Sequence, residues 1–296
     1  MTDDAVEDPS PDAAEAPKKK SDLLPRLVTA VIGIPALLAV IFLAPTWAFA
    51  LVVLAACVIA AWEYMSMVGG STQRAGQLVT AAATGAVASV LYLTSTPSFG
   101  ADGTMLALTF AAGALGIFLT FLFTYKDLEK VSLLAGSGAM AMVYCGIMPG
   151  LMALLQRDGG EDGGYWILMA FAVVWGSDTG AYFSGRAFGK HKLAPRVSPK
   201  KTVEGAVGGL LASVTAVVIF KLTALPELAW WQVFALAVPA NILGQTGDLC
   251  ESLIKRAHGV KDSGIIIYGH GGMLDRIDAL IFALPWFYFF QHYLFR

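Results

Sequence analysis

Residues 248–278 read Asp248-Leu-Cys-Glu-Ser-Leu-Ile-Lys-Arg-Ala-His-Gly-Val-Lys-Asp-Ser-Gly-Ile-Ile-Ile-Tyr-Gly-His-Gly-Gly-Met-Leu-Asp-Arg-Ile-Asp278, between the apolar segments 230–247 and 276–295. Five acids, four cations and two histidines fall within these 31 residues. Charge held against a bilayer is expensive, so a cluster of this kind marks function rather than chance. Its residue types are those that hold a metal ion and a polyphosphate.

The rest of the chain is built for lipid. Of 296 residues, 56% are hydrophobic and 14% charged, and the mean hydropathy is +0.65. A soluble domain carries roughly 25% charged residues, so the composition excludes one and implies an all-α, polytopic membrane protein. Apolar segments near the spanning length of about 20 residues are expected at 27–44, 47–68, 77–95, 104–124, 131–155, 164–184, 204–223, 230–247 and 276–295, which gives about nine transmembrane helices. The first is short, and Pro239 and Gly244 are expected to interrupt the eighth. Residues 1–22 are rich in Asp, Glu, Ala and Pro and cannot bury a core, so a disordered cytoplasmic tail is expected there. The long acidic lead favours an uncleaved first span. Residues 23–160 then hold helices 1–5, and residues 161–296 hold helices 6–9 with their cytoplasmic loops. Cys57, Cys145 and Cys250 lack metal-ligand spacing and read as packing residues.

Basic residues set the topology. With the N-terminus in the cytoplasm, 17 of the 20 Lys and Arg residues fall inside, and only Arg157, Lys221 and Arg296 fall outside. The C-terminus is then external, and Trp47, Trp230 and Trp231 lie at the outer interface. In this arrangement Glu63 sits near the cytoplasmic end of the second span. Asp178 lies roughly 21 Å along the sixth, at 1.5 Å per residue. Asp248 closes the eighth span, and Asp275 and Asp278 open the ninth. Independent segments thus bring their acids to one cytoplasmic face.

Asp275 and Asp278, like Asp248 and Glu251, are spaced i, i+3 and share a helix face. Carboxylates on facing helices suit Mg²⁺, with substrate phosphates and water completing the shell; the plainer alternative is that Asp275 caps a helix start beside Arg276. Gly269-His270-Gly271-Gly272 is a turn that lets backbone approach a phosphate, or a simple interhelical connection. His270 could contact phosphate, move a proton or cap the turn. In Ser198-Pro-Lys-Lys-Thr202, Ser198 suits an N-cap and Pro199 a first helical turn. Lys200 and Lys201 would then face a positive helix end, a conflict that a nucleotide phosphate removes; positive-inside anchoring accounts adequately for Arg186, Lys190 and Lys192. Ser177 and Thr179 flank Asp178 and could bond it or a ligand, whereas a structural pairing of Asp178 with a buried cation is the alternative. Glu63 reads equally as a brace or a site acid.

At these residues the sequence resembles the phosphatidate cytidylyltransferase (CDP-diacylglycerol synthase) family. The family's C-terminal signature is matched in register by Ser252, Lys255, Arg256, Lys261, Asp262, Gly264, His270, Gly271, Gly272, Asp275, Arg276 and Asp278. The likeness continues upstream through Ser177-Asp178-Thr179, Gly185-Arg186, residues 189–195, Ser198–Thr202 and Gly247-Asp248, so it covers about residues 165–280. Tyr268 stands where the family usually has Pro or Gly, which alters the rigidity of the loop before His270.

The resemblance implies transfer of CMP from CTP to phosphatidic acid, giving CDP-diacylglycerol and pyrophosphate, with residues 161–296 as the catalytic region. It implies Mg²⁺ on Asp248, Asp275 and Asp278, with room for a second cation. It implies catalytic roles for Asp178, Asp248, Lys255, Arg256, Lys261, Asp262, His270, Asp275, Arg276 and Asp278. Substrate contacts are implied for Ser198, Lys200, Lys201, Thr202, Ser252, Gly271 and Gly272. The expected partners are CTP, phosphatidic acid and the lipid bilayer, with no nucleic acid; a homodimer is left open. A bacterial plasma membrane is the expected location, with the site on its cytoplasmic side. A secondary transporter and a CTP-dependent polyprenol kinase are the rival readings. The first needs access from both faces, and the second would release CDP.

Overall fold

The computed structural model describes residues 23–70, 73–94, 103–266 and 271–295, with backbone alone for 23–30. Helices α1 (Leu23–Leu43), α2 (Thr46–Gly69), α3 (Arg74–Thr94) and α4 (Thr104–Thr124) come first. They are followed by α5 (Val131–Ala141) and α6 (Met148–Asp158), joined by a π-helical turn over Met142–Ile147. The widening falls just before Pro149, whose missing N–H interrupts the regular ladder. Then come α7 (Gly163–Phe188), the short strands β1 (Lys192–Ala194) and β2 (Ser198–Thr202), α8 (Val203–Thr223), α9 (Trp230–Ala257) and α10 (Leu274–Phe289).

The chain is thus an all-α membrane protein with one small hairpin. Among the described residues five stretches are long and apolar enough to cross a bilayer, namely α2, α3, α4, the continuous run Leu128–Asp158, and α8. Helices α7, α9 and α10, which carry the polar residues considered below, fall outside that set. Many large apolar side chains point outward, among them Leu43, Leu115 and Phe123, as helices facing hydrocarbon require.

Two interior clusters hold the helices together. Trp166, Phe171, Leu236, Leu284 and Phe287 knit α7, α9 and α10. Tyr64, Met65, Ile117, Phe121 and Met142 join α2, α4 and the π turn. Helices α7 and α8 pack tightly where small residues face each other. A methyl group at Gly180 would sit 2.7 Å from the Gly208 carbonyl oxygen, so bulk there would push the two helices apart.

Two local expectations are corrected. Helix α9 is not interrupted at Pro239 or Gly244 but runs unbroken to Ala257, ten residues past the expected end of the apolar segment. A proline costs a helix one hydrogen bond, which packed neighbours can absorb, and the polar residues after 247 remain helical. Nor is Ser198 an N-cap. It opens β2, with Ala194 opposite it on β1. Thr202 caps α8 instead, its Oγ1 accepting from Gly205 N at 3.1 Å.

Candidate active site

Because α9 is continuous, Asn241, Gln245, Asp248, Ser252 and Lys255 fall on one face, at spacings of three and four. The first two anchor the site. The buried Asn241 amide donates from Nδ2 to Ser177 Oγ (2.7 Å) and Ser213 Oγ (2.9 Å). Ser213 Oγ donates to Val173 O at 2.8 Å. Gln245 Nε2 donates to Asn241 Oδ1 (2.7 Å) and to Ala206 O (3.1 Å). One polar network therefore locks α7, α8 and α9 in register. Each buried polar group left unpaired there would cost about 1–3 kcal/mol.

The hairpin is fastened to the start of α8. Glu204 accepts from Lys190 N at 3.0 Å and from His191 N at 3.2 Å, and its Oε1 lies 2.6 Å from His191 Nδ1. Val203 N donates to His191 O at 2.9 Å. This holds Lys200 and Lys201 at the rim of a cavity of about 470 Å³, whose other walls include Asp178, Arg186, Thr202 and Gln245. Arg186 is steadied by Tyr182, whose Oη accepts from Nη1 at 3.2 Å.

A second cavity of about 250 Å³ is lined by Asp178, Asp275, Arg276 and Asp278. Asp178 is common to both cavities. A chamber walled by cations and a chamber walled by acids therefore adjoin. Asp178, Asp248 and Asp278, from α7, α9 and α10, are within electrostatic reach of one another. Asp248 is paired with Lys201, and Ser252 Oγ lies 3.5 Å from its Oδ1. Asp278 Oδ1 accepts from Ala279 N at 2.7 Å.

Asp275 is bound differently. Its Oδ1 accepts from Lys255 Nζ at 2.7 Å. Its Oδ2 accepts from Ser263 N (2.9 Å), Ser263 Oγ (3.0 Å) and Gly272 N (3.1 Å). Lys255 also pairs with Glu251, one turn back on α9 and fully buried. These three groups lie beyond the apolar segments 230–247 and 276–295. Burial pushes the Glu251 carboxyl up to about 8, against the pull of Lys255 and with help from the Asp278 and Asp275 charges. Burial also opposes the Asp275 carboxylate, but Lys255, Ser263 and Gly272 outweigh it and hold the group below its ordinary range. Burial disfavours the Lys255 ammonium as well, yet its two carboxylate partners raise its proton affinity above that of a free lysine.

Of the residues singled out in the sequence, Asp178, Lys200, Lys201, Thr202, Asp248, Ser252, Lys255, Asp275, Arg276 and Asp278 come together around these cavities. Gly271, at φ +84°, and Gly272 lead into α10. Arg256 is drawn away to the Val260 carbonyl oxygen at 3.1 Å. Lys261 and Asp262 are exposed in the connecting segment. His270 and Tyr268 lie outside the described residues. Thr179 bonds its own helix, donating to Trp175 O at 2.9 Å, whereas Ser177 joins the Asn241 network. Asn241, Gln245 and Ser263 were not singled out; the i, i+4 pair of amides in an otherwise apolar segment was the available signal for the first two.

Hard oxygen donors on three facing helices have the chemistry that Mg²⁺ takes. Among the described residues no three His, Cys, Asp or Glu side chains form a ready-made metal cage. Mg²⁺ characteristically uses one or two carboxylates and fills its shell with phosphate oxygens and water, which Asp248 and Asp278 fit. Asp275 could join only by sharing oxygens already engaged by Lys255, Ser263 and Gly272.

Residues 24–294 match the sequence model of the cytidylyltransferase family. A phosphatidate cytidylyltransferase of Staphylococcus saprophyticus is 47% identical over 146 residues, covering 49% of this chain and 55% of that protein. One from Brucella melitensis is 46% identical over 157 residues, covering 52% and 57%. One from Bacillus subtilis is 44% identical over 124 residues, covering 42% and 46%. The chain spans about half the length of the curated relatives it matches.

Proposed function

We propose, on the premise that the chain belongs to the cytidylyltransferase family, that it transfers CMP from CTP to phosphatidic acid and releases CDP-diacylglycerol and pyrophosphate. The observation that carries this reading is the pair of adjoining chambers sharing Asp178, one lined by Lys200, Lys201 and Arg186, the other by Asp178, Asp275 and Asp278. A triphosphate needs cations along its β and γ groups and a charge-neutralising centre at the phosphorus under attack. The two chambers offer these side by side. The names of the relatives support the choice of CTP and phosphatidate.

A phosphate oxygen of phosphatidic acid is already a competent nucleophile, so the reaction needs no protein-derived one. That oxygen bonds to the α-phosphorus of CTP while the bond from the α-phosphorus to the bridging oxygen breaks. The electron pair leaves on pyrophosphate. The protein's part is alignment and charge neutralisation. Lys200, Lys201 and Arg186 take the leaving pyrophosphate, and the Asn241–Gln245 network keeps the chamber walls in register. Asp248 and Asp278, with Asp275 beside them, are the residues that would hold Mg²⁺, which when bound supplies positive charge to the phosphates. Lys255 keeps Asp275 ionised and oriented.

The reading includes nine spans with the N-terminus inside and the C-terminus outside, residues 161–296 as the catalytic region, and a bacterial plasma membrane location. The site then opens to the cytoplasm, where CTP is dissolved, while the acyl tails of the lipid stay in the bilayer. The 17-to-3 distribution of Lys and Arg supports that orientation. A homodimer is compatible with it.

The test uses the full chain in detergent or lipid nanodiscs, with phosphatidic acid, Mg²⁺ and CTP labelled at the α-phosphate. Label entering lipid with an equal amount of pyrophosphate, and loss of both on adding EDTA, is the expected result. CDP release with unlabelled lipid would overturn the assignment in favour of a kinase. No turnover of active lipid by folded protein would overturn it outright.

A further inference from the structure

Glu63, on α2, lies in none of the chambers above, yet it touches the segment that builds one of them. We propose that Glu63 is a positioning residue for the proposed transfer. On this inference, which rests on the site assignment above, Glu63 clamps Ser263-Gly264 and Gly272–Leu274 from the N-terminal half and so fixes Asp275 and Lys255. The Glu63 side chain is only 2% exposed. A carboxylate that deep persists only when hydrogen bonds replace its water. Two backbone donors do so, Met273 N to Oε1 at 3.1 Å and Leu274 N to Oε2 at 2.9 Å, and Ser263 Oγ, whose one proton is shared with Asp275 Oδ2, lies 3.2 Å from Oε2. Met273 N and Leu274 N are first-turn donors of α10 without an intrahelical partner. A negative side chain is favoured there by the helix dipole as well.

Ser263 links this clamp to the site. Its Oγ lies 3.0 Å from Asp275 Oδ2 and accepts from Asp275 N at 3.3 Å. The chain of contacts thus runs from Glu63 through Ser263 to Asp275 and on to Lys255. The fit is close on both sides. A methyl group at Gly264 would meet three atoms first, all of the Glu63 side chain, with Cδ at 2.7 Å and Cγ at 3.0 Å. A methyl at Gly272 would strike Ser263 Oγ first and then lie 2.7 Å from both Glu63 Oε2 and Gly264 N. Gly264 stands where a carboxylate from α2 must approach backbone directly, and Gly272 where Ser263 and that carboxylate meet. Glu63 touches neither cavity lining, so its effect on chemistry passes through Asp275.

The test compares wild type, Glu63→Ala, Gly264→Ala and the double variant, all as full chains in nanodiscs. Glu63→Ala is expected to lower kcat by about 10- to 100-fold, the scale of a misplacement near 1 Å. KM for CTP should stay within about 2-fold, because the lysine chamber is untouched. Gly264→Ala alone should also slow turnover. The double variant should be no slower than Glu63→Ala, since the atoms that the methyl group strikes are gone. A second readout needs no substrate: amide exchange at Met273 and Leu274 should rise at least about 10-fold in Glu63→Ala. Should Glu63→Ala not fold, Glu63→Gln, which keeps one acceptor oxygen of two, is expected to show intermediate loss of kcat and faster exchange. Full kcat in a folded variant, additive effects in the double variant, or unchanged exchange would each overturn the clamp. If the wild type transfers no label to lipid while exchange responds as stated, the clamp stands and the functional assignment falls.

Discussion

Lys255→Met is expected to destabilise the protein strongly, and in a defined pH window. Lys255 Nζ holds Asp275 Oδ1 at 2.7 Å and also pairs with Glu251, and its side chain is 12% exposed. Methionine keeps the bulk of the side chain but removes the charge. Removing one partner of a buried ion pair costs about 3–5 kcal/mol, because the other charge is left uncompensated. The pH dependence follows from the shifts. Asp275 is held below its ordinary range when folded, so its contribution is present above its unfolded value of about 3.9 and fades as pH falls through the folded one. Lys255 is raised, so its contribution is full below about 10.4 and is lost at higher pH. Glu251, near 8 in the fold, already makes the wild type lose stability as pH climbs from about 4.5 toward 8; in the variant that loss extends further upward. Without Lys255 the burial of Asp275 acts to raise its carboxyl, so in the variant the uncompensated charge is relieved by protonation as pH falls. The gap between wild type and variant should be about 3–5 kcal/mol at pH 7 and shrink toward pH 4. Denaturant or thermal unfolding followed by tryptophan fluorescence in detergent, from pH 4 to 9, measures it. A gap under about 1 kcal/mol at pH 7, below the range for a buried pair, would refute the reasoning. So would a gap of equal size at pH 4.

Three other outcomes are expected. Asp278→Asn should lower label transfer into lipid by at least about 10²-fold, the scale of losing one group that meets developing charge. It should leave the fold intact, since Asp278 has no cation partner of its own among the described residues; an unfolded variant or near-normal rates would count against its assignment. Lys201→Met removes a cation from the larger chamber and frees Asp248. KM for CTP should rise by about 10- to 100-fold, the scale of a hydrogen bond to a charged group, as steady-state kinetics would show. Thr202→Ala deletes the N-cap of α8 and should cost about 1 kcal/mol in the same unfolding assay.

The positions of the helices were legible because apolar length is a local property: the expected segment 204–223 and α8, Val203–Thr223, nearly coincide. The convergence of Asp178, Asp248 and Asp278 was legible from their places within and at the ends of separate apolar segments. What spacing could not give is direction. Asp275 and Asp278 share a helix face, yet Asp275 turns to Lys255 and the Ser263 segment while Asp278 interacts with Asp248 and Asp178. The decision between them is made by partners on other helices. Ser198-Pro-Lys-Lys-Thr202 carries the local marks of a helix start, and only pairing with Lys192–Ala194 makes it a strand. Glu63 was ambiguous for the same reason, since its donors come from residues at least 200 positions away.

The acid cluster is under electrostatic tension as it stands. Asp178, Asp248 and Asp278 lie within reach of one another, with Asp275 close behind. The neighbouring cations are Lys201, Lys255 and Arg276, and Lys255 is already shared between Glu251 and Asp275. Helices locked by Asn241 and by Glu63 can hold like charges together that a flexible loop would let drift apart. A rigid surplus of negative charge beside a cation-lined chamber is what a cation carried in with a polyphosphate would relieve. Binding of the cation and binding of the nucleotide should therefore reinforce each other, each supplying the counter-charge that the other's chamber lacks.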